Sequence, residues 1–516
     1  MMSLSRSRLF ALDLLPRSWI VLGLATAASV TGSGDGAPLA MVTMALLAIV
    51  IVIGMPEPES LLPALLPLAF MLGTAPLGIG WREASYAAVC IVAVAGTLVH
   101  FRAQTMEFLR RTAWWLAASV ALLGINLAVA LGNDVPLRDW MRGLAPFLFL
   151  VVAIPAAIAL RCRPVLTTPL LVSASMAALL FAGDALLRYL WHGMWVPAGY
   201  VQRGEEWIQA TAAQAEAMGL PLQWFSQRVT SVSPGSLDAL LPLALVWSTW
   251  TTLWGQRSWV RALGFLAGAL AVVSVLISYT RSTVLVAAAV SGLIMLDAFI
   301  AGIRVRAAIF AGSMLVVALA TIWIFGLSSI YGVRFLMLSN SLQSPEAHQS
   351  VADTPVPLGQ GRRPSIKYVA VPGSGASSDA TVLVRLQEIG IAWRMFLASP
   401  VVGHGLGVRY RIVSWSNDNE QTSDLRGYVH NWPFYVLMVG GVLGAACYVF
   451  LLFGAPVVAW RRLDPATLRL VAATVLLLAA YGSLTAAYRL IPFNLVLGGV
   501  WALALTPERR VTIAAS

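Results

Sequence analysis

The chain is poor in charge and almost empty of lysine. Of its 516 residues 11% are charged, and Lys367 is the single lysine. A soluble protein carries about 25% charged residues, and no soluble fold could hide a hydrophobic content of 59%. The three cysteines, Cys90, Cys162 and Cys447, show no CxxC spacing, which speaks against a disulfide framework or a zinc site. No GxxxxGK[ST] loop is present, so ATP does not drive the protein directly, and no HExxH element points to a metal hydrolase. No DxD pair stands out to hold a metal–nucleotide-sugar. Acids inside the apolar runs are sparse: Asp184 is expected to pair with Arg188 at i,i+4, and Asp297 lies near Arg304 and Arg306. The net charge of +11 raises the question of nucleic acid. The arginines sit in short turns, however, with no basic, aromatic-interleaved face, which argues against that partner.

What the chain has is apolar runs of roughly 16 to 25 residues, the length a helix needs to cross a hydrocarbon core of about 30 Å. Backbone groups in lipid are satisfied only in helices or closed barrels, and the two-residue alternation of a barrel is missing. The expected fold class is an all-α polytopic membrane protein of about fourteen transmembrane helices. They are placed near 18–33, 38–55, 60–79, 84–101, 112–132, 143–160, 165–189, 236–254, 259–279, 282–302, 306–330, 431–459, 468–487 and 490–506. Arg6, Arg8 and Arg17 ahead of the first run resemble a signal peptide, read here as an uncleaved first helix.

The other basic turns follow even-numbered spans: Arg102, Arg110 and Arg111; Arg161 and Arg163; Arg257 and Arg261; Arg304 and Arg306; Arg461, Arg462 and Arg469; Arg509 and Arg510. The positive-inside rule puts them in the cytoplasm with both termini. The acidic turn Pro56–Glu59 is the exception. The chain then divides into N-terminal membrane helices (1–190), an extracytoplasmic segment (191–235), membrane helices (236–330), a large extracytoplasmic loop (331–430) and C-terminal membrane helices (431–516). The first part of the large loop, about 339–380, is rich in Ser, Pro, Gly and Gln and reads as mobile. Beyond it Val382, Leu386, Ile389, Trp393, Phe396 and Leu397 recur at helical spacing. They predict an amphipathic helix lying on the bundle or on the membrane surface.

Some polar residues on the outer side are not explained by topology. Arg228 precedes the eighth span in Ser226-Gln-Arg-Val-Thr-Ser-Val-Ser-Pro-Gly-Ser236. Arg281 sits in the tight turn Ser278-Tyr-Thr-Arg-Ser282. Either side chain could simply snorkel to headgroups, but a charge there is costly enough to suggest a partner. A third group runs from Arg385 to Arg394 and on through Ser399-Pro-Val-Val-Gly-His-Gly-Leu-Gly407. Its glycines allow close approach to a ligand or a helix, and no βαβ context supports a dinucleotide site. His404 is a loop histidine or a ligand group. His430-Asn431-Trp432 opens the twelfth span, where Gly440, Gly441 and Gly444 would allow tight helix packing. Arginine forks bind phosphate oxygens without losing charge, and histidine accepts a proton near neutral pH. Together they suit transfer from a lipid-linked diphosphate donor.

Four segments in this order resemble the bacterial O-antigen ligase/polymerase superfamily: Arg228-Val-Thr-Ser-Val-Ser-Pro-Gly, Ser278-Tyr-Thr-Arg-Ser, Arg385 through Gly403-His-Gly-Leu-Gly407, and His430-Asn431 leading into Gly440-Gly-Val-Leu-Gly444. They span roughly residues 225–455. The resemblance implies a metal-independent, cofactor-free glycosyltransferase of the bacterial inner membrane with a periplasmic site. The donor would be an undecaprenyl-diphosphate-linked glycan. The acceptor would be lipid A–core in a ligase, or a second lipid-linked glycan in a polymerase. Carried over by motif, His430 would be the general base, and Arg228, Arg281 and Arg385 would bind diphosphate and glycan, with His404 and Asn431 beside them. The number of spans and the long loop lean toward an O-antigen or exopolysaccharide polymerase. A transporter or flippase would instead need polar residues along both halves of a path, and a non-catalytic assembly component would need no base.

Overall fold

The computed structural model describes residues 17–33, 37–72, 80–191, 240–255, 257–277, 281–324, 380–415 and 421–506. For Arg281, Asp184, Arg188 and most of residues 411–425 only the backbone is described. Arg228 and the rest of 192–235, the Ser/Pro/Gly-rich stretch before residue 380 and both chain ends lie outside the described residues.

Helices occupy each of the apolar regions. We label them α1 (Arg17–Ser33), α2 (Ala37–Gly54), α3 (Trp81–His100), α4 (Arg102–Gly132), α5 (Leu137–Cys162, with a 3-10 turn inside), α6 (Thr167–Trp191), α7 (Leu240–Trp254), α8 (Ser258–Ile277), α9 (Arg281–Ile300), α10 (Arg304–Ile324), α11 (Ala380–Ala398), α12 (Trp432–Ala459), α13 (Pro465–Leu484) and α14 (Ile491–Leu505). Among the described residues nine helices are long and apolar enough to cross a membrane, fewer than the expected fourteen. Shorter helices such as α14 and the Pro58–Met71 segment account for part of the difference. That segment carries Pro58, Pro63 and Pro67, which delete helix donors and favour 3-10 turns. It is buried throughout, with Ser29 and Tyr86 donating to the carbonyls of Pro67 and Leu65 at 2.7 and 3.1 Å.

Large apolar side chains cover the flanks of the bundle. Val120 on α4, Trp323 on α10 and Val457 on α12 are exposed, as lipid-facing residues are. Helix α4 runs 31 residues, about 46 Å at 1.5 Å per residue. That exceeds the hydrocarbon thickness, so its charged first turns, Arg102 to Arg111, extend past the apolar zone.

Two of the basic turns meet the acidic turn directly. Arg163 contacts both Glu57 (2.9 Å) and the buried Glu59 (3.1 Å), and Arg17 reaches Glu57 at 3.4 Å. The acidic turn that stood apart in the sequence is therefore neutralised by arginines from two other turns. Asp297 pairs with Arg469 at 2.6 Å, and no ion pair joins it to Arg304 or Arg306. Tertiary proximity overrode sequence proximity.

The chain is mostly helical, as expected; a small antiparallel hairpin, β1 (Tyr410–Trp415) and β2 (Gln421–Arg426), is a local addition to it. Tyr410 pairs with Arg426 and Trp415 with Gln421. The helix expected over Val382–Leu397 is α11, but its buried face is turned. Glu388, Ile391, Ala392 and Met395 are buried, whereas Trp393 and Leu397 are exposed. Trp393 still meets α12, its ring centroid 6.2 Å from that of Phe434.

Candidate active site

The hairpin delivers its chain end to the mouth of α12. Two buried tyrosines hold this arm: Tyr410 donates to the carbonyl of Tyr428 (2.5 Å) and Tyr488 to that of Val429 (2.7 Å). His430 follows at once. Asn431 then caps α12, its side-chain oxygen accepting from the Phe434 amide at 3.3 Å while its amide donates to the Ser483 carbonyl at 2.8 Å. Trp432 anchors the first turn through its indole N–H on the carbonyl of Ala479, at 3.0 Å. Backbone position, cap and anchor together fix where the His430 ring stands.

That ring is 26% exposed and meets a fully buried carboxylate. Glu388 Oε2 accepts from the His430 backbone amide (2.9 Å) and lies 2.7 Å from its Nδ1. Oε1 accepts from Arg426 at 2.5 Å. Burial alone would push the Glu388 carboxyl up; the hydrogen bonds and charge of His430, with Arg426, outweigh it and hold the group below the usual carboxylate range. Tyr428 packs edge-on to His430 with ring centroids 5.2 Å apart. The Arg489 guanidinium lies over the same Tyr428 ring, 5.0 Å from its centroid. Among the described residues, no carboxylate comes within ion-pair distance of Arg489.

The expected site residues are placed as follows. Arg385 lies three residues before Glu388 on α11, hence on the same face one turn away. Arg281 is the first residue of α9. The end of α9 that carries it meets α13 where Thr283 and Tyr481 share a hydrogen bond of 3.2 Å, one helix away from Asn431. Ser278 to Thr280 and Arg228 fall outside the described residues. The His404 ring lies 2.7 Å through Nε2 from the Met395 carbonyl. Met395 is two turns beyond Glu388, roughly 10 Å along α11. The structure thus joins His430, Asn431 and Arg385 in one locality and sets His404 apart.

The Ser399–Gly407 loop does something the sequence did not suggest. It enters a break in α12 at Gly441, whose φ is +58°. Carbonyls of Met438 and Val439 accept from the amides of His404 and Gly405, both at 2.9 Å. Amides of Val442 and Leu443 donate to the carbonyls of Pro400 and Val401, at 2.8 and 3.2 Å. The polar groups exposed by a helix break are thereby satisfied. Gly403 must be glycine: its φ is +66°, and a Cβ there would sit 2.5 Å from the Gly440 nitrogen. From α4, Asn126 completes the joint, donating to the Val439 carbonyl and accepting from the Leu406 amide, both at 2.9 Å. The glycines serve a helix approach, one of their two expected uses.

Glu388, Arg426, Tyr428 and Arg489 were not singled out in the sequence. Glu388 had a visible signal as a lone acid at i+3 from Arg385 on the face later found buried. Arg426 and Arg489 had none, because their proximity to His430 depends on the hairpin and on the α13–α14 connection.

Across the described residues this is a cationic locality around one histidine, with a single buried carboxylate. It is suited to anion binding and proton transfer. No curated protein matches the chain. A family model described as O-antigen ligase matches residues 266–449, which include Arg281, Arg385, His404, His430 and Asn431. Over that segment the resemblance to the O-antigen ligase/polymerase superfamily is borne out, and with it a membrane glycan-transfer function in general terms.

Proposed function

We propose that this protein transfers a glycan from an undecaprenyl-diphosphate-linked donor to an acceptor hydroxyl at the periplasmic face of the bacterial inner membrane. The acceptor is lipid A–core in a ligation or a second lipid-linked glycan in a polymerisation. The reading is carried by the partly exposed His430, which stands at a helix mouth inside the matched segment with arginines from separate elements around it. His430 takes the proton of the incoming hydroxyl. Arg228, Arg281 and Arg385 neutralise the departing diphosphate, and Arg489 adds a cation beside them. Arginine forks suit stabilisation of the leaving diphosphate, because they keep their charge and bind its oxygens bidentately. Asn431 orders the mouth, and His404 contributes through the loop.

The test is His430→Ala in producing cells, read as the glycan banding pattern on a gel. Loss of ligation leaves long lipid-linked polymer, whereas loss of polymerisation leaves single repeat units. Unchanged chain length and attachment would remove His430 from the chemistry.

A further inference from the structure

We propose that Glu388 is a positioning residue that holds His430 in the tautomer protonated at Nδ1, leaving Nε2 as the only ring nitrogen able to take the acceptor's proton. The inference rests on the reading of His430 as the base and adds a residue that touches neither substrate.

An ionised carboxylate can only accept hydrogen bonds. Glu388 Oε2 stands 2.7 Å from His430 Nδ1, so that nitrogen must carry the hydrogen. In a neutral imidazole the other nitrogen is then bare. Three further observations hold the carboxylate in this role. Its side chain is 0% exposed, which bars it from meeting a substrate or acting as the base itself. Its second oxygen is occupied by Arg426, a cation that does not deprotonate. Its Oε2 also accepts the His430 backbone amide at 2.9 Å, so ring and main chain are fixed by one atom.

In the transfer step the acceptor O–H bond breaks and its proton goes to Nε2. The oxygen forms the new bond to the anomeric carbon. The bond from that carbon to the diphosphate oxygen breaks, and the diphosphate leaves with the electron pair. The imidazolium formed lies against the Glu388 carboxylate, which stabilises it without taking the proton, and later returns the proton to water. The other charged or titratable groups about the ring are Tyr428, Arg426 behind the carboxylate, and Arg489 over the Tyr428 ring; none of them can replace the acceptor on Nδ1.

Glu388→Gln keeps the shape of the side chain but can turn its NH2 toward Nδ1, which reverses the tautomer. With full-length protein in detergent and undecaprenyl-diphosphate-linked glycan extracted from the native cells, release of undecaprenyl diphosphate is expected to fall about 10²–10⁴-fold in kcat. KM should change little, since the interaction matters only in the transition state. A kcat within two-fold of the unmodified protein overturns the proposal (roughly 0.4 kcal/mol). A second measurement needs no variant to fold and act: with 15N-histidine in a chain of five histidines, the neutral His430 ring should show a protonated Nδ1 and a bare Nε2. The reverse pattern also overturns it. If the underlying reading is at fault instead, His430→Ala stays active whatever the tautomer.

Discussion

Two neighbouring glycines in α12 should respond in opposite ways to the same substitution. Gly441 has φ +58° and a Cβ there would run into the backbone of Val401, whereas Gly440 has a helical φ and a Cβ there meets nothing within 4 Å. For Gly441→Ala, an L-residue held at φ +58° and ψ −156°, a region essentially confined to glycine, costs about 1–3 kcal/mol. Pushing the Ser399–Gly407 loop away also threatens the Val442–Pro400 and Leu443–Val401 hydrogen bonds, each worth about 0.5–1.5 kcal/mol. The sum is a loss of about 2–6 kcal/mol. Gly440→Ala instead replaces a flexible residue in a helix and should gain about 0.5–1 kcal/mol. Both variants can be heated in detergent at one scan rate with a thiol-reactive dye, because Cys90, Cys162 and Cys447 are free and partly buried. Cys447 lies six residues beyond the break and should be labelled earliest if the joint opens first. The reasoning fails if Gly441→Ala melts with the unmodified protein, or if the two variants fall together.

Other perturbations separate buried from exposed interactions. Arg163→Ala strips the partner from Glu59, whose side chain is 1% exposed, and should cost about 3–5 kcal/mol by thermal unfolding. Arg17→Ala removes an ion pair whose arginine is 46% exposed and should cost about 0–1 kcal/mol. Asn126→Ala leaves the Leu406 amide and the Trp140 indole N–H, both of which donate to its side-chain oxygen, without that acceptor, for a loss of about 2–4 kcal/mol in the same melt. The Glu388 carboxyl sits below its ordinary range in the folded state. Its contribution is therefore complete above the unfolded value of about 4.3 and disappears as pH falls through the folded one. Acid unfolding of Glu388→Gln should accordingly be flatter there than that of the unmodified chain.

Helices were legible because apolar run length alone predicts them, and each expected region contains one. Faces and partners were not. On α11 the periodicity of Leu386, Trp393 and Leu397 marks an apolar stripe, but the buried side carries Glu388, Ile391, Ala392 and Met395, and run length says nothing about which side a tertiary partner covers. Asp297 had two arginines nearby in sequence and paired with a third from another turn. The hairpin leaves no trace in apolar run length, because its segments are short and polar, although Asn417, Asp418 and Asn419 between them have turn chemistry. At the site, His430 and Asn431 were legible from their place at a span mouth. Glu388 and Arg489 were not, since burial against a histidine and stacking on Tyr428 are properties of the assembled chain.

The joint in α12 bears on how freely this protein can be recombined. The loop that fills the break is held by Asn126 and flanked by Ala130 and Asp139, and Arg409 just beyond it pairs with Asp139 at 2.5 Å. All three partners lie upstream of residue 266, outside the segment matched to the ligase family. A chimaera spliced at that boundary would inherit the histidine arm together with a helix whose broken backbone has lost part of its seal. Helices α4 and α5 therefore belong to the same exchangeable unit as the His430 mouth, and a productive graft has to carry them along.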